Sequence, residues 1–174
     1  SKINMDTFVR SLVDSFSQRA AGKNLRIDVV WNVPRETEDA FYFRTDPEKL
    51  ERILSNLLAN AIEFSNKGKS VKITIGKEEK RLSIAVEDEG IGIPEEQQKN
   101  LFARFKQLDS GTRKAHHGHG LGLSITKALL EMLDGKVAFA CADGGGSVFT
   151  VSLNEAGVET GTETLSEAGN EFIF

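Results

Sequence analysis

Asn56 and Asn60 are the first residues of this 174-residue chain whose type and spacing suggest chemistry. Amides four residues apart on a helix share one side of it. Asparagine has modest helix propensity, so two on such a stripe need a reason. Asp88 opens "DEGIGIP" (88–94), where Gly90, Gly92 and Ile93 follow an alternating run. "TRKAHHGHGLGLS" (112–124) carries all three histidines, His116, His117 and His119. It also carries Arg113, Lys114, Gly118, Gly120 and Gly122, ahead of an apolar helical pattern. Free N–H groups and the dipole at a helix start favour a phosphate. "GGGS" (144–147) ends on Ser147.

Each of these has a plain reading as well. A glycine cluster is first a turn, Asp88 a strand-end turn residue, and the two asparagines surface polar groups. Phe102 and Phe105 taken alone read as core. No G-x-x-x-x-G-K-[ST] occurs, and "GHGLGL" misses G-x-G-x-x-G because position 123 is Leu. A structural zinc site usually needs four ligands, so three loop histidines and the distant Cys141 do not make a dedicated metal site.

The elements that must position these residues follow from periodicity. Positions 6–21 space Phe8, Val9, Leu12, Val13 and Phe16 as a helix, with Asp6 as its cap and Gly22 as its stop. Positions 25–31 read as a strand, and 40–44 as a shorter one. Asp46 and Pro47 start a strong helix with Leu50, Ile53, Leu54, Leu57, Leu58 and Ala61 as its buried stripe. Arg52, Asn56, Asn60 and Glu63 form a different stripe. Positions 70–76 and 81–88 alternate and read as a hairpin across "KEEK". Positions 94–105 predict a short helix, 106–119 a lid-like loop, and 121–133 a helix ending at Gly135. Positions 136–142 and 147–153 predict a second hairpin around "DGGG". Hairpins argue against a doubly wound sheet. The expected fold is an α/β class, two-layer sandwich: a mixed, mostly antiparallel sheet with helices on one face.

Composition narrows the classes. The apolar fraction of 39% suffices for a core, and the single cysteine excludes an internal disulfide framework. No secretory signal or membrane-length apolar run is present, so a cytoplasmic location is expected, with a membrane anchor possible in a longer protein. The net charge is −4, and residues 154–174 contribute −5 through Glu155, Glu159, Glu163, Glu167 and Glu171, leaving about +1 elsewhere. No broad basic face is implied, so nucleic acid is not an expected partner. Residues 1–153 are therefore expected to form one domain and 154–174 an acidic, flexible linker, whose final "FIF" could start another domain or dock on this one.

In order, "NLLANAIEFS", "DEGIGIP", "LFARF", "GHGLGLS" and "GGGSVF" resemble the five boxes of the catalytic ATP-binding domain of sensor histidine kinases. That domain has the Bergerat-type fold shared with gyrase, Hsp90 and MutL. The resemblance spans roughly residues 5–153, and five ordered motifs are far more specific than one. "FKQLDSGTRK" is also close to the lid opening of many hybrid-type sensor kinases.

The resemblance implies a site for ATP and Mg²⁺. Asp88 would accept from the adenine amino group, with Gly90, Gly92 and Ile93 letting the backbone approach the base. Asn60 would give its side-chain oxygen to Mg²⁺, and Asn56 would line the phosphate side. Gly118, His119, Gly120, Leu121, Gly122 and Leu123 would carry the lid across the triphosphate. Lys106, Arg113 and Lys114 would supply charge, Phe105 would anchor the lid with Phe102, and Ser147 would close the third glycine box. The implied partners are a phosphoacceptor histidine domain of the same full-length kinase and a response regulator or receiver domain, with this domain monomeric alone. Residues 1–3 resemble the end of that upstream domain. No histidine here has the phosphoacceptor context, and none lies on a predicted helix.

Two positions separate the alternatives. The ATP-hydrolysing relatives carry a glutamate four residues before the magnesium asparagine; here that position is Asn56, which has no useful basicity. Glu63 stands where the family commonly has a basic residue, and an acid there would repel a triphosphate unless it points away or pairs with Lys67 or Lys69. A degenerate docking module and, behind it, a gyrase- or Hsp90-type ATPase are the competing readings.

Overall fold

The computed structural model describes residues 1–34, 38–101, 119–157 and 172–173. The chain runs β1 (Lys2–Asn4), α1 (Met5–Gly22), β2 (Arg26–Asn32), a 3₁₀ turn (Glu38–Phe41), β3 (Tyr42–Arg44), α2 (Pro47–Phe64), β4 (Ser70–Glu78) and β5 (Arg81–Asp88). It continues through α3 (Glu95–Gln98), α4 (His119–Met132), β6 (Lys136–Cys141), β7 (Ser147–Asn154) and β8 (Phe172–Ile173). The main sheet has the order β2-β4-β5-β7-β6-β8. Among the described residues, only the β2–β4 pair of this sheet is parallel. The expected mixed, mostly antiparallel sandwich is the fold observed.

The two layers meet through complementary periods. Val71, Ile73 and Ile75 of β4, Leu82, Ile84 and Val86 of β5, Phe149, Val151 and Leu153 of β7 and Val137 and Phe139 of β6 are buried at every second position. Against them lie Met5, Val9, Leu12 and Phe16 of α1 and the whole expected stripe of α2. Asp46 caps α2 by accepting from the Lys49 N–H at 3.2 Å, and Pro47 opens the first turn, as expected.

Several expectations change. The cap of α1 is Asn4, which accepts from the Thr7 N–H at 3.1 Å; Asp6 instead lies inside the first turn and pairs with Arg10. Residues 40–41 belong to the 3₁₀ turn, so the strand starts at Tyr42. Residues 2–4 join β3 in a small sheet, Lys2 opposite Arg44 and Ile3 opposite Phe43. Of the helix expected over 94–105, Glu95–Gln98 is helical, and residues 102–105 lie outside the described residues. Beyond residue 153, the Glu155 carboxylate accepts from the Arg44 N–H at 3.2 Å and the Ala156 N–H donates to the Arg44 carbonyl at 2.9 Å. Phe172 and Ile173 add a short strand to β6 opposite Phe139 and Ala138, which is the docking alternative for the "FIF" end. Residues 158–171 lie outside the described residues.

Candidate functional site

Polar residues enter where the apolar alternation of the sheet ends. After Leu82, Ile84 and Val86, the next inward position of β5 is Asp88, only 5% exposed. On β7 the inward series Leu153, Val151, Phe149 ends on buried Ser147. With Glu87 opposite Val148 in antiparallel register, Asp88 and Ser147 come together at one end of the sheet. The Asp88 carboxylate accepts from the Gly90 N–H at 3.1 Å and from the Ser147 N–H. A carboxylate has about four acceptor positions, so part of its capacity is unspent. Burial pushes its pKa up from 3.8 to about 6, against the opposing effect of those two N–H donors.

Two glycine clusters pack on each other here. A Cβ on Gly146 would stand 2.0 Å from the Asp88 carbonyl oxygen, and φ at Gly146 is 99°. A Cβ on Gly90 would stand 2.1 Å from the Phe64 carbonyl oxygen. The end of α2 thus demands glycine at 90. Gly92 has φ 73° and lies against the Gly146 carbonyl. Ile93 packs on the core, and its carbonyl accepts from the buried Gln98 Nε2 at 2.8 Å.

Helix α2 brings its polar stripe to the same end. Asn60 is 8% exposed rather than solvent-facing, and its amide nitrogen has no hydrogen-bond partner among the described residues. Asn56 is half-buried and spends its amide nitrogen on α4, donating to the Gly122 carbonyl at 3.3 Å. The Thr126 hydroxyl donates to the same carbonyl at 2.9 Å. Glu63 is exposed, and among the described residues neither Lys67 nor Lys69 forms an ion pair with it. The helix end instead receives Lys23, whose ammonium donates to the carbonyls of Ile62 at 2.8 Å and Glu63 at 2.7 Å.

Helix α4 begins earlier than its pattern suggests, so His119 and Gly120 are helical rather than loop residues. The N–H groups of His119, Gly120 and Leu121 fall in the first turn, which has no intrahelical acceptors. Leu123 lies past that turn with its side chain in the core, 2% exposed, so it lines no ligand surface with that side chain. A Cβ on Gly122 would meet nothing within 4 Å. Phe102, Arg104, Phe105, Lys106, Arg113, Lys114, His116, His117 and Gly118 lie outside the described residues. Among the described residues no three His, Cys, Asp or Glu side chains gather to hold a metal. No helix there is long and apolar enough to cross a membrane. A hollow of about 390 Å³ elsewhere is lined by Arg26, Ser70 and Glu89 among others, and those three already bond within the protein.

Residues 45–157 match the family described as histidine kinase-, DNA gyrase B- and HSP90-like ATPase. The chain belongs to this family. Within it, the similar curated proteins are histidine kinases. The circadian input-output histidine kinase CikA of Synechococcus elongatus is 43% identical over 65% of this chain and 15% of its own length. The histidine protein kinase SaeS of Staphylococcus aureus is 35% identical over 91% of this chain and 44% of its own length. The chain therefore spans less than half the length of these relatives. The catalytic domain of histidine kinase ThkA superposes with a TM-score of 0.74 at 24% identity, covering 89% of this chain and 95% of that domain. Full-length ShkA, solved with AMPPNP, superposes with a TM-score of 0.72 at 25% identity over 90% of this chain and 31% of ShkA. The chain is thus a histidine kinase-type catalytic ATPase domain, and its five boxes lie on the elements just described or in the segment that joins α3 to α4.

Sequence reasoning did not single out four residues that bond to, or pack on, those just described, although Gly146 and Ser65 lie inside quoted motifs. Gly146 gives no sign of its contact with Asp88. Thr126 reads as one polar residue in a helix, Gln98 as one of several in a polar run, and Ser65 as the residue after a helix. Only the paired spacing of Asn56 with Gly122 and Thr126 across two helices would have exposed Thr126, and that spacing is not local.

Proposed function

We propose that this domain binds MgATP and donates the γ-phosphoryl group to a histidine on a separate phosphoacceptor domain of a longer protein, in two-component signalling. The observation that carries this reading is the convergence, at one end of the sandwich, of a buried carboxylate with unspent acceptor capacity and a buried amide without a partner. Asp88 accepts from the adenine amino group; guanine presents a carbonyl there, and two acceptors would face each other. The side chain of Asn60 is free of other bonds at its nitrogen and can turn its oxygen to the metal. One neutral oxygen suits Mg²⁺, which keeps several waters and takes its other ligands from phosphates. When bound, Mg²⁺ would neutralise charge on the phosphate oxygens.

Around the phosphates, Asn56 holds the start of α4 in place through Gly122, and the first-turn N–H groups of α4 face the anion. Arg113, Lys114 and Lys106 add positive charge from the lid, Phe105 anchors it, and Gly118 gives it room. Ser147 fixes the Asp88 carboxylate through its N–H. In the transfer, the bond from the γ-phosphorus to the bridging oxygen breaks, ADP leaves, and a phosphorus–nitrogen bond forms on the acceptor imidazole, which gives up its proton. Asn56 offers no base to activate water, which favours the kinase over a hydrolase. A response regulator or receiver domain is the downstream partner.

Calorimetric titration with MgATP and MgGTP, on the domain and on Asn60→Ala, tests the reading. Binding of MgATP but not MgGTP, lost in Asn60→Ala, supports it; absence of MgATP binding overturns it in favour of a docking module.

A further inference from the structure

Ser65 follows the last residue of α2, is 2% exposed, and its hydroxyl has no hydrogen-bond partner among the described residues. A buried hydroxyl left in this state is costly, and such groups in folded proteins usually serve a ligand or an ordered water. Its surroundings say which. Ser65 stands opposite Gly90 in an antiparallel bridge, flanked by the Asn66 N–H donating to the Glu89 carbonyl at 3.3 Å. Residues directly opposite in such a pair project to the same face. Asp88 and Gly90, two apart in an extended run, share a face as well. The spot that a Gly90 Cβ would take is 3.0 Å from Asp88 Oδ1 and 2.1 Å from the carbonyl oxygen of Phe64, the residue before Ser65. The Asp88 carboxylate and the Ser65 hydroxyl therefore flank the Gly90 position on one face, with the Phe64 carbonyl beside it.

That face carries an acceptor and a donor. Adenine presents the complement: an amino group that donates, and next to it a ring nitrogen, N1, that accepts. Guanine presents the reverse, a carbonyl beside an N–H. We propose that Ser65 is a specificity-determining residue of this site, its hydroxyl donating, directly or through one bridging water, to adenine N1 while Asp88 accepts from the amino group. This rests on the MgATP reading above. A hydroxyl can also accept, so Ser65 by itself is permissive; the ionised Asp88 beside it, which only accepts, is what orients the pair toward adenine.

The test is equilibrium binding of MgATP and of 1-deaza-ATP, in which N1 is replaced by C–H, to the wild-type domain, Ser65→Ala and Ser65→Thr. Ser65→Ala is expected to weaken ATP about tenfold, and Ser65→Thr, which keeps the hydroxyl, to stay within about twofold of wild type. The analogue is expected to bind wild type about tenfold more weakly than ATP does, with no further loss in Ser65→Ala. Ser65→Ala binding ATP as wild type does, or losing ATP and 1-deaza-ATP alike, overturns the inference while leaving the MgATP reading of the domain standing. Wild-type protein that binds neither nucleotide overturns the MgATP reading together with it. Should Ser65→Ala fail to fold, Ser65→Cys, which keeps the volume and weakens the donor, carries the same comparison.

Discussion

Gly146 lies so close to Asp88 that a Cβ at 146 would stand 2.0 Å from the Asp88 carbonyl oxygen and 2.9 Å from its carbon. The third glycine cluster is therefore the support on which the first one rests, joined further by the Ser147 N–H to the Asp88 carboxylate.

Gly146→Ala should consequently be severe. The added methyl meets backbone that cannot rotate aside, and φ of 99° is strained for any L side chain. A stability loss on the order of 3 kcal/mol is expected from chemical denaturation. Wild-type stability in this variant would show that the two clusters do not pack as described.

Gly122→Ala separates folding from ligand binding. A Cβ there meets nothing within 4 Å, and alanine is the better helix former by about 1 kcal/mol. The ligand-free domain should gain up to roughly that much in thermal stability. Nucleotide affinity should nevertheless fall, because the methyl enters the space beside the first turn of α4. Unchanged affinity would place the phosphates elsewhere.

The two asparagines should respond differently. Asn56→Ala breaks the bond to the Gly122 carbonyl and is expected to cost about 1 kcal/mol of stability. Asn60→Ala removes an amide nitrogen that the protein leaves unpaired, so stability should hold or rise while MgATP binding is lost. Equal destabilisation of both variants, measured by urea unfolding, would contradict the distinction.

Asp88 sets the pH dependence. Its pKa in the folded, ligand-free domain is about 6, above the ordinary 3.8, so the folded state binds this proton more tightly than the unfolded chain. The favourable contribution is complete below about pH 4 and is lost as pH rises through 6. At pH 7, Asp88→Asn should therefore stabilise the ligand-free domain, on the order of 1–2 kcal/mol. ATP binding runs the opposite way, since protonation removes the acceptor: affinity should fall as pH drops from 7 to 5. An Asp88→Asn variant less stable than wild type at pH 7 would remove the basis of this prediction.

Glu63→Lys should tighten MgATP binding several-fold at low ionic strength, with the gain shrinking as salt is added. The side chain is exposed and has no ion-pair partner among the described residues, so no internal contact opposes the change. Calorimetry at two salt concentrations checks it; unchanged affinity would mean that Glu63 points away from the phosphates.

The sequence by itself determined what is local. Alternation marked β4, β5 and β7, the 3.6-residue stripe marked α2, and Asp46 with Pro47 marked where it begins, because each depends only on neighbours within one or two turns. The order of five motifs carried the family, since their spacing survives without coordinates. What the tertiary structure decided is which distant segments touch. The burial of Asn60 and Asp88 depends on the helix layer closing over the end of β5. The need for glycine at 90 and 146 comes from the Phe64 and Asp88 carbonyls, which are remote or opposed in sequence. His119 is helical because α4 begins two residues before its apolar pattern. Ser65 closes the first motif, "NLLANAIEFS", but nothing in one dimension marks it for reading a base: a serine after a helix is ordinary. It becomes a candidate for base reading only because a long-range bridge sets it opposite Gly90, where no side chain satisfies its hydroxyl.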